Sequence, residues 1–363
     1  MGEPDEKISR ILPFSECMKY PFNMKVLFVT HYCGWAYYGG AEVQAQETAR
    51  QLESLGVEVL WLGPHLKLDE MVNCDLMHLF GAYDYFHYLL PAIEQSGKPY
   101  VLSTIYYRKK QPLRILAFKA LKPFLYLGLK NHLSEFNIQQ LLNKAALLLP
   151  NSRNEELYLK NLFTIDEKKV RIIPNGVESR FLKATPDLFL AQYHIAQDFA
   201  LYTGRIGARK NTLSLIRACR KAGVPLVIIG SPVEEEYFLR CKQEGKGVAT
   251  FIPALSHDDP LLASAYAACK LFVLPSWYET PGISALEAAL AGANIAITKY
   301  GGTKEYFGDS AIYLDPYNQK SIDEAVVKGM SLPKNYKARD MARRFTWEEV
   351  AKLTLDAYKE VLG

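Results

Sequence analysis

The chain has 363 residues, of which 49% are hydrophobic and 23% are charged. These values match globular proteins and exclude a disordered, collagen-like or coiled-coil chain, while the length favours two domains. The net charge of +4 is unevenly placed, because residues 95–134 contain eight basic residues and no acidic residue.

The N-terminus and the cysteines indicate a protein of the cell interior. Residues 1–23 are expected to form an N-terminal extension, and they lack the apolar stretch of a signal peptide. No apolar run approaches the roughly 18–20 residues that span a membrane. The six cysteines are scattered without a CxxC pair, which favours buried thiols in a reducing compartment over disulfides or a zinc site. We therefore expect a cytoplasmic protein.

From Met24 onward, short apolar runs alternate with helical patterns. The runs KVLFVT, VEVLWLG, DLMHLF, KPYVLST and KAALLLPNS are predicted strands, and AEVQAQETARQLESLG is a predicted helix that ends at Gly56. Continuous apolar runs between helices indicate a parallel sheet that is covered on both faces. We predict a Rossmann-like domain over residues 24–185.

The same pattern restarts near residue 198. The runs DFALYTG, VPLVIIG, VATFIP, LFVLP and NIAIT are predicted strands with helices between them, and we predict a second Rossmann-like domain over residues 186–343. The intervening RIIPNGVESRFLKATPD is the predicted hinge. Residues 344–363 hold a closing amphipathic helix. Its apolar residues recur at helical intervals: Trp347, Val350, Leu353, Ala357 and Val361.

The predicted fold class is therefore α/β, with two doubly wound domains that face each other across a cleft. Ligands of such sheets bind at the carboxyl ends of the strands, so the loops that follow the strands are the candidate sites.

The loop LPSWYETPGISALEAALAG follows a predicted strand and opens a helix near Gly282. Helix N-termini bind anions such as phosphate through free amides and the positive end of the helix dipole. Glu279 lies just before this helix and Glu287 lies inside it, so a diphosphate there would have a carboxylate on either side. The alternative is that the first glutamate only favours the helix dipole and the second lies on the surface. The amides expected to face the ligand belong to Gly282, Ile283 and Ser284.

Two further loops carry groups that suit a diphosphate. LYTGRIGARKN places Arg205 and Lys210 after a strand, and both side chains bind phosphate oxygens. HYCGWAYYGGAEVQ places Gly39 and Gly40 before the first helix, where their amides could face an anion or an acceptor hydroxyl. The alternatives are a solvent-facing basic turn and a simple glycine reversal.

Together these loops resemble those of the retaining glycosyltransferases of family 4, which have the GT-B fold. The resemblance covers roughly residues 24–363. The segments that carry it are YGGAE, PNGVE, TGRIGARKN, the two glutamates of ETPGISALE separated by seven residues, and FTWEEVAKLTLDAYKEVL. It implies that the closing helix packs back on an N-terminal acceptor domain, whereas the C-terminal domain binds a nucleotide sugar.

The resemblance also implies an activity and residue roles. A sugar would pass from a nucleoside diphosphate sugar to a glycan or lipid-linked acceptor with retention of configuration, without metal or cofactor. Arg205 and Lys210 would stabilise the diphosphate leaving group and Glu279 would contact the donor sugar, which makes these three the catalytic candidates. The remaining donor-binding candidates are Gly282, Ile283, Ser284, Glu287, Gly39 and Gly40. The chain contains no Asp-x-Asp motif, which favours the metal-independent interpretation.

One departure keeps alternatives open. Many members of that family carry a histidine after the strand that corresponds to KPYVLST, whereas Ile105 and Tyr106 stand there in this chain. A degenerate domain that binds sugar nucleotide or scaffolds partners is therefore an alternative. A phosphorylase or a sugar-nucleotide epimerase of the same architecture is another, although nothing marks a lysine for pyridoxal phosphate.

Residues 108–130, called here the basic segment, contain both basic and apolar side chains. Such a helix can lie on an anionic bilayer, and we hypothesise that it brings the protein to the inner face of the membrane. The alternative is a core helix with a solvated basic face, and no motif supports nucleic-acid binding. The cations chosen for this contact are Arg108, Lys109, Lys110, Arg114 and Lys119.

Overall fold

A computed structural model describes residues 24–31, 39–63, 72–107, 134–195, 198–334 and 336–363. The predicted N-terminal extension lies outside these residues. So do the five cations of the proposed membrane contact, Arg108, Lys109, Lys110, Arg114 and Lys119, and that contact stays a prediction. Among the helices that are described, none is both long and apolar enough to cross a bilayer.

The first sheet has five parallel strands in the order β2-β1-β3-β4-β5. Its strands are β1 (Lys25–Val29), β2 (Glu58–Trp61), β3 (Leu76–Phe80), β4 (Tyr100–Ser103) and β5 (Leu147–Leu148). Strands β3 and β4 are buried at every position, as is typical of a parallel sheet covered on both faces. The helices that accompany it are α1 (Gly40–Ser54), α2 (Leu90–Ser96), α3 (Ser134–Lys144) and α4 (Arg153–Leu162).

The second sheet has six parallel strands in the order β11-β10-β9-β6-β7-β8. They are β6 (Ala200–Thr203), β7 (Leu226–Ile229), β8 (Ala249–Ile252), β9 (Leu271–Leu274), β10 (Asn294–Thr298) and β11 (Ile312–Leu314). The helices are α5 (Asp187–Tyr193), α6 (Thr212–Ala222), α7 (Glu235–Gly245), α8 (Pro260–Ala268), α9 (Ile283–Ala291), α10 (Thr303–Phe307), α11 (Gln319–Ser331) and α12 (Lys337–Ala342). The predicted fold class, α/β with two doubly wound parallel sheets, is confirmed.

The chain crosses between the two halves twice, at neighbouring points. The N–H of Val177 donates to the carbonyl of Phe345 at 2.8 Å, which ties the first crossing to the second. A Cβ atom on Gly176 would lie 2.7 Å from the ring and backbone of Trp347, so only glycine fits beside this tryptophan. The predicted hinge segment thus touches the start of the last helix, α13 (Trp347–Leu362).

Helix α13 completes the core of the first sheet. It packs on α1, and Trp347, Val350 and Tyr358 share one buried cluster with residues of β1. The prediction that Leu353 belongs to the apolar face is wrong, because this side chain is 44% exposed. The buried face instead follows the spacing of Ala351, Thr354 and Tyr358, and Leu353 lies off this stripe at 100° per residue.

A buried histidine also joins α13 to this sheet. His78 of β3 lies 2.6 Å from the hydroxyl of Tyr358 and 2.8 Å from the hydroxyl of Ser103 in β4. Complete burial lowers the pKa of His78 to about 3, so the ring is neutral at physiological pH. Polar groups buried this deeply require partners with matched geometry, and the three side chains therefore fix how α13 sits on the sheet.

Direct contacts hold the two halves together on the side of α4. The carboxylate of Glu305 in α10 accepts hydrogen bonds from the N–H groups of Arg153 and Asn154, at 2.7 and 2.8 Å. A carboxylate at a helix N-terminus satisfies free amides and complements the helix dipole. The hydroxyl of Tyr306 next to it donates to the carbonyl of Asn151 at 2.6 Å. Both contacts join α10 of the second half to the start of α4.

The four cysteines within the described residues are buried, and none of them forms a disulfide. They are Cys74, Cys219, Cys241 and Cys269. The prediction of buried thiols is confirmed for these four.

Candidate active site

The loop after β6 carries the first candidate residues into the cleft. The chain turns at Gly204, whose φ is +133°, and a short 3-10 turn at Ala208–Lys210 then ends at Asn211 with φ of +57°. This path brings the ammonium group of Lys210 to 2.5 Å from Oε1 of Glu279. The two residues are 69 positions apart in the sequence, and the fold pairs them at the carboxyl end of the second sheet.

The buried Glu279 carboxylate is held in its ionised form. Burial alone would raise its pKa, but the positive charges of Lys210 and Arg209 and the hydrogen bond from Lys210 outweigh burial and lower it. A lysine has three N–H donors, and Glu279 takes one of them. The other two donors of Lys210 can therefore meet an anionic ligand.

The backbone of Glu279 is fixed by the loop after β10. Its N–H donates to the carbonyl of Tyr300 at 3.2 Å, and its own carbonyl accepts from the N–H of Gly302 at 3.1 Å. Gly301 has φ of +106°, and a Cβ atom there would lie 2.0 Å from the Glu279 carbonyl oxygen. Gly301 was missed by sequence reasoning, although the pair of glycines after a strand was a visible signal.

Helix α9 begins where the sequence predicted, directly after Gly282. This glycine has φ of +82°, and a Cβ atom on it would lie 2.6 Å from Leu274. Backbone conformation and packing therefore require the glycine, in addition to any approach of a ligand. The first amides of α9, including those of Ile283 and Ser284, have no carbonyl partner within the helix. The positive end of the helix thus lies beside Glu279.

Two helix N-termini approach each other across the cleft. Gly39 is the N-cap of α1 and Gly40 is its first residue. A Cβ atom on Gly40 would lie 3.9 Å from Cδ1 of Ile283, and this isoleucine packs against the core of the first sheet. The structure therefore brings the predicted glycines of one half next to the predicted amides of the other.

Two arginines flank the Lys210–Glu279 pair. Arg205 is exposed, and its charge acts on both Lys210 and Tyr83 of the first half. Arg209 was not predicted as a site residue. Its guanidinium group donates to the carbonyl of Tyr278 at 3.4 Å, and its own carbonyl accepts from the N–H of Trp277 at 3.0 Å. The loop therefore offers three cations rather than the predicted two.

Glu287 lies deeper than expected. It is 4% exposed, so the alternative of a surface glutamate is wrong. Its Oε1 lies 2.9 Å from Nε2 of His257, and its Oε2 accepts from the Tyr266 hydroxyl at 2.8 Å. Neither partner was predicted, because nothing in the sequence pattern places them beside α9.

The turn after β4 faces the site from the first half. Ile105 has φ of +38°, which a β-branched residue rarely adopts and which costs about 1–3 kcal/mol. Buried Glu155 holds the turn, since Oε1 accepts from the Thr104 hydroxyl at 2.5 Å and from the Tyr106 N–H at 2.8 Å. Its Oε2 accepts from the N–H of Asn151 at 2.9 Å.

An aromatic contact links this turn to the opposite loop. The ring of Tyr107 stacks on the ring of Tyr278 with centroids 3.7 Å apart and planes 11° apart. Tyr278 directly precedes Glu279, so the turn of the first half touches the residue next to the Lys210–Glu279 pair. The arrangement is a cleft with cations and helix amides on one side and a constrained turn on the other.

Comparisons with known proteins agree with this geometry. Residues 194–345 match the family model described as glycosyl transferases group 1. The matched residues lie in the second half of the chain and include all the predicted catalytic candidates, Arg205, Lys210 and Glu279.

Curated relatives resemble the chain over more residues than the family model covers. The chain is 26% identical over 243 residues to O-antigen chain mannosyltransferase B of Escherichia coli, covering 62% of this chain and 63% of the relative. It is 27% identical over 248 residues to the N-acetylgalactosamine-N,N'-diacetylbacillosaminyl-diphospho-undecaprenol 4-alpha-N-acetylgalactosaminyltransferase of Campylobacter jejuni, covering 63% and 64%. The chain thus spans less than two thirds of the length of these relatives.

A solved structure supports the fold of the chain as a whole. Sucrose-phosphate synthase from Thermosynechococcus elongatus superposes with a TM-score of 0.73 at 17% identity, covering 93% of this chain and 99% of that chain. The predicted GT-B fold is confirmed.

Proposed function

We propose that the protein is a glycosyltransferase that moves a sugar from a nucleoside diphosphate sugar to a glycan or lipid-linked acceptor. The single observation that carries this proposal is the Lys210–Glu279 pair, which lies beside the N-terminus of α9 and faces the turn of the first half. A diphosphate needs positive charge and N–H donors, while a sugar needs a fixed acceptor of its hydroxyl groups. The pair and the helix end together offer both.

The chemistry of the site suits departure of a diphosphate. Negative charge develops on the leaving oxygen as the bond to the sugar breaks, and donors that are already in place stabilise that charge most effectively. Lys210 is oriented by Glu279 and Arg205 projects into the same region, so we assign both to the diphosphate. Ionised Glu279 is assigned to the donor sugar, and Glu287 to the ribose.

Retention and independence of metal belong to the same proposal. The cations of the loop after β6 and the N-terminal amides of α9 would stabilise the negative charge of the diphosphate, which a divalent ion would otherwise neutralise. The acceptor is proposed to attack on the face that the diphosphate leaves. Addition of a chelator should leave the rate unchanged, and the product should keep the anomeric configuration of the donor in its NMR spectrum. A rate that collapses in chelator and recovers with magnesium or manganese contradicts this part of the proposal.

The acceptor class is proposed from the relatives and from the charge of the chain. The relative from Campylobacter jejuni is named for an acceptor linked to diphospho-undecaprenol, and the E. coli relative is named for O-antigen chains. The basic segment, residues 108–130, would suit an acceptor presented at an anionic membrane. Sedimentation with anionic liposomes at low salt tests this, and a protein that stays in solution there contradicts it.

Donor use is the first experiment. Thermal shift against a panel of nucleoside diphosphate sugars should identify one base and sugar that stabilise the protein. The same donor should then be hydrolysed slowly in the absence of acceptor, because an active transferase passes some sugar to water. Stabilisation without any hydrolysis or transfer would favour the alternative, a domain that only binds sugar nucleotide.

A further inference from the structure

His257 lies between two carboxylates in the loop that joins β8 to α8. Its Nε2 is 2.9 Å from Oε1 of Glu287, and its Nδ1 is 3.5 Å from Oε1 of Glu178. Glu287 belongs to α9, whereas Glu178 belongs to the segment that crosses between the two halves. One imidazole ring therefore contacts both the donor-side helix and the interdomain connection.

The second oxygen of Glu287 is held independently. Its Oε2 accepts from the Tyr266 hydroxyl at 2.8 Å, and that hydroxyl lies 2.8 Å from Oγ1 of Thr203, the last residue of β6. Each carboxylate oxygen can accept two hydrogen bonds, so both oxygens of Glu287 retain acceptor capacity for ligand hydroxyls. The hydrogen bonds from His257 and Tyr266 fix the orientation of the carboxylate and thus the direction of its remaining lone pairs.

Charged groups from two other places, helix α1 and the segment that contains Arg180, lie around the histidine. Arg50 of α1 donates to Glu47 of the same helix and to Glu178, the latter at 3.1 Å. Arg180 donates to Oε1 of Glu178 at 3.1 Å and also to the backbone carbonyl of His257. The ligand atoms of Glu47, Glu178 and His257 lie within 4.8 Å of one another, but arginines already occupy both carboxylates. The cluster is therefore a network of ion pairs.

The number of protons on the ring decides how many carboxylates it can serve. A neutral imidazole has one N–H group, so it can donate to Glu178 or to Glu287 but not to both. The imidazolium form has two N–H groups, so it can donate to Glu287 and direct its second N–H toward Glu178, 3.5 Å away. Burial alone would lower the pKa of His257, but the hydrogen bond to Glu287 and the charges of Glu287 and Glu178 outweigh burial and raise it.

We propose that protonated His257 is a positioning residue that holds the Glu287 carboxylate for the nucleotide and links it to Glu178 of the interdomain connection. This inference rests on the proposed function, in which Glu287 meets the ribose. When the pH rises above the raised pKa, the ring loses one N–H and a lone pair then faces one carboxylate. Nucleotide affinity is therefore full at lower pH and declines as the pH rises.

The test measures the affinity of UDP, GDP, ADP, CDP and dTDP by calorimetry from about pH 6 to about pH 9. The nucleotide that binds the unmodified protein is then measured with H257Q and Y266F, after both variants are shown to melt cooperatively. Glutamine keeps an N–H near the position of Nε2 but does not titrate. The phosphate of the nucleotide also titrates in this range, and its contribution cancels between the unmodified protein and H257Q.

The unmodified protein should lose about tenfold more affinity across this range than H257Q, the size of effect expected when a hydrogen bond to a charged group is lost. Y266F should bind more weakly at every pH and keep the wild-type slope, because it removes a hydrogen bond to the same carboxylate without removing the titrating group. An H257Q slope equal to that of the unmodified protein overturns the inference while leaving the proposed function intact. If none of the five nucleotides binds the unmodified protein, the proposed function and this inference both fail.

Discussion

The two sides of the cleft use different chemistry. The second half presents charged side chains, with Lys210 paired to Glu279 at 2.5 Å and Arg205 exposed beside them. The first half presents backbone, namely the Gly39–Gly40 start of α1 and the turn at Ile105. Charges suit a diphosphate, which is common to all nucleoside diphosphate sugars. The turn at Ile105 is held by the buried carboxylate of Glu155, so a substitution near that carboxylate can change the direction of the backbone groups. Such adjustable groups suit the side of the cleft that selects an acceptor.

The largest effect is expected from removal of the Lys210 charge, which lies on the side of the cleft that the second half forms. K210A should lower kcat/KM about a hundredfold to a thousandfold, because it removes a donor at the leaving group and leaves Glu279 buried without its lysine. The matched control is K221A, which removes an exposed lysine that pairs with Asp323 in the same half. A K210A enzyme as active as K221A would show that the pair does not act on the donor.

The second change moves Glu279 without altering any charge. G301A places a Cβ atom 2.0 Å from the Glu279 carbonyl oxygen, so the backbone of one loop must shift. We expect kcat to fall about tenfold or more, since misplacement by about an ångström has effects of this size or larger. G247A is the control, because Gly247 also has a positive φ but has open space around its Cβ position. Equal effects of the two variants would attribute the loss to backbone strain alone.

The third change acts on the first side of the cleft. E155A leaves the Thr104 hydroxyl and the Tyr106 N–H without their acceptor, at about 1–3 kcal/mol for each unsatisfied buried group. The turn should then move, so transfer to acceptor should weaken while nucleotide affinity stays unchanged. Steady-state kinetics with varied acceptor, together with calorimetry of the nucleotide, separates the two effects. The control is E94A, which replaces an exposed glutamate of the same half. Loss of nucleotide binding in E155A would contradict the assignment of the acceptor to the first half and of the nucleotide to the second.

The smallest expected effect concerns the contact between the sides. E305A removes the carboxylate that accepts from the N–H groups of Arg153 and Asn154 at the start of α4. Loss of such a helix cap costs about 0.5–2 kcal/mol, measurable as a lower midpoint of urea unfolding. Activity should change by a few fold at most. E324A, an exposed glutamate of α11, should leave the midpoint unchanged, and an equal shift in both variants would mean that Glu305 does not stabilise the structure through α4.

The sequence was informative where one strong local pattern decides the structure. The apolar runs of β1, β3, β4, β6, β7, β9 and β10 predicted two parallel sheets, and the loops at the carboxyl ends of those strands were predicted to hold Lys210 and Glu279. Strand β11 was not predicted because it has three residues and is only partly buried. In α13, Leu353 recurs at a helical interval from Val350 and Ala357, but the stripe that packs on α1 is centred on other residues and leaves Leu353 exposed.

The rest of the site depends on contacts that no local pattern reveals. The role proposed for His257 depends on Glu178 and Glu287, which lie 79 and 30 positions away in the sequence. The fold alone brings these carboxylates to the imidazole ring. Glu155 acts through the turn at Ile105, whose left-handed conformation contradicts the preference of isoleucine. Such residues are identified only when the backbone around them is known.

The position of α13 bears on the order in which the chain can fold during synthesis. Trp347, Val350 and Tyr358 complete the core that β1 begins, and the whole second sheet lies between them along the chain. Domains usually fold in the order in which they leave the ribosome, the N-terminal one first. Here that face of the first sheet is covered only in part, by α1, until residues 347–362 emerge, while the second sheet can close before it. Translation that halts before Trp347 would therefore release a chain in which the N-terminal half, although synthesised first, has an incomplete core.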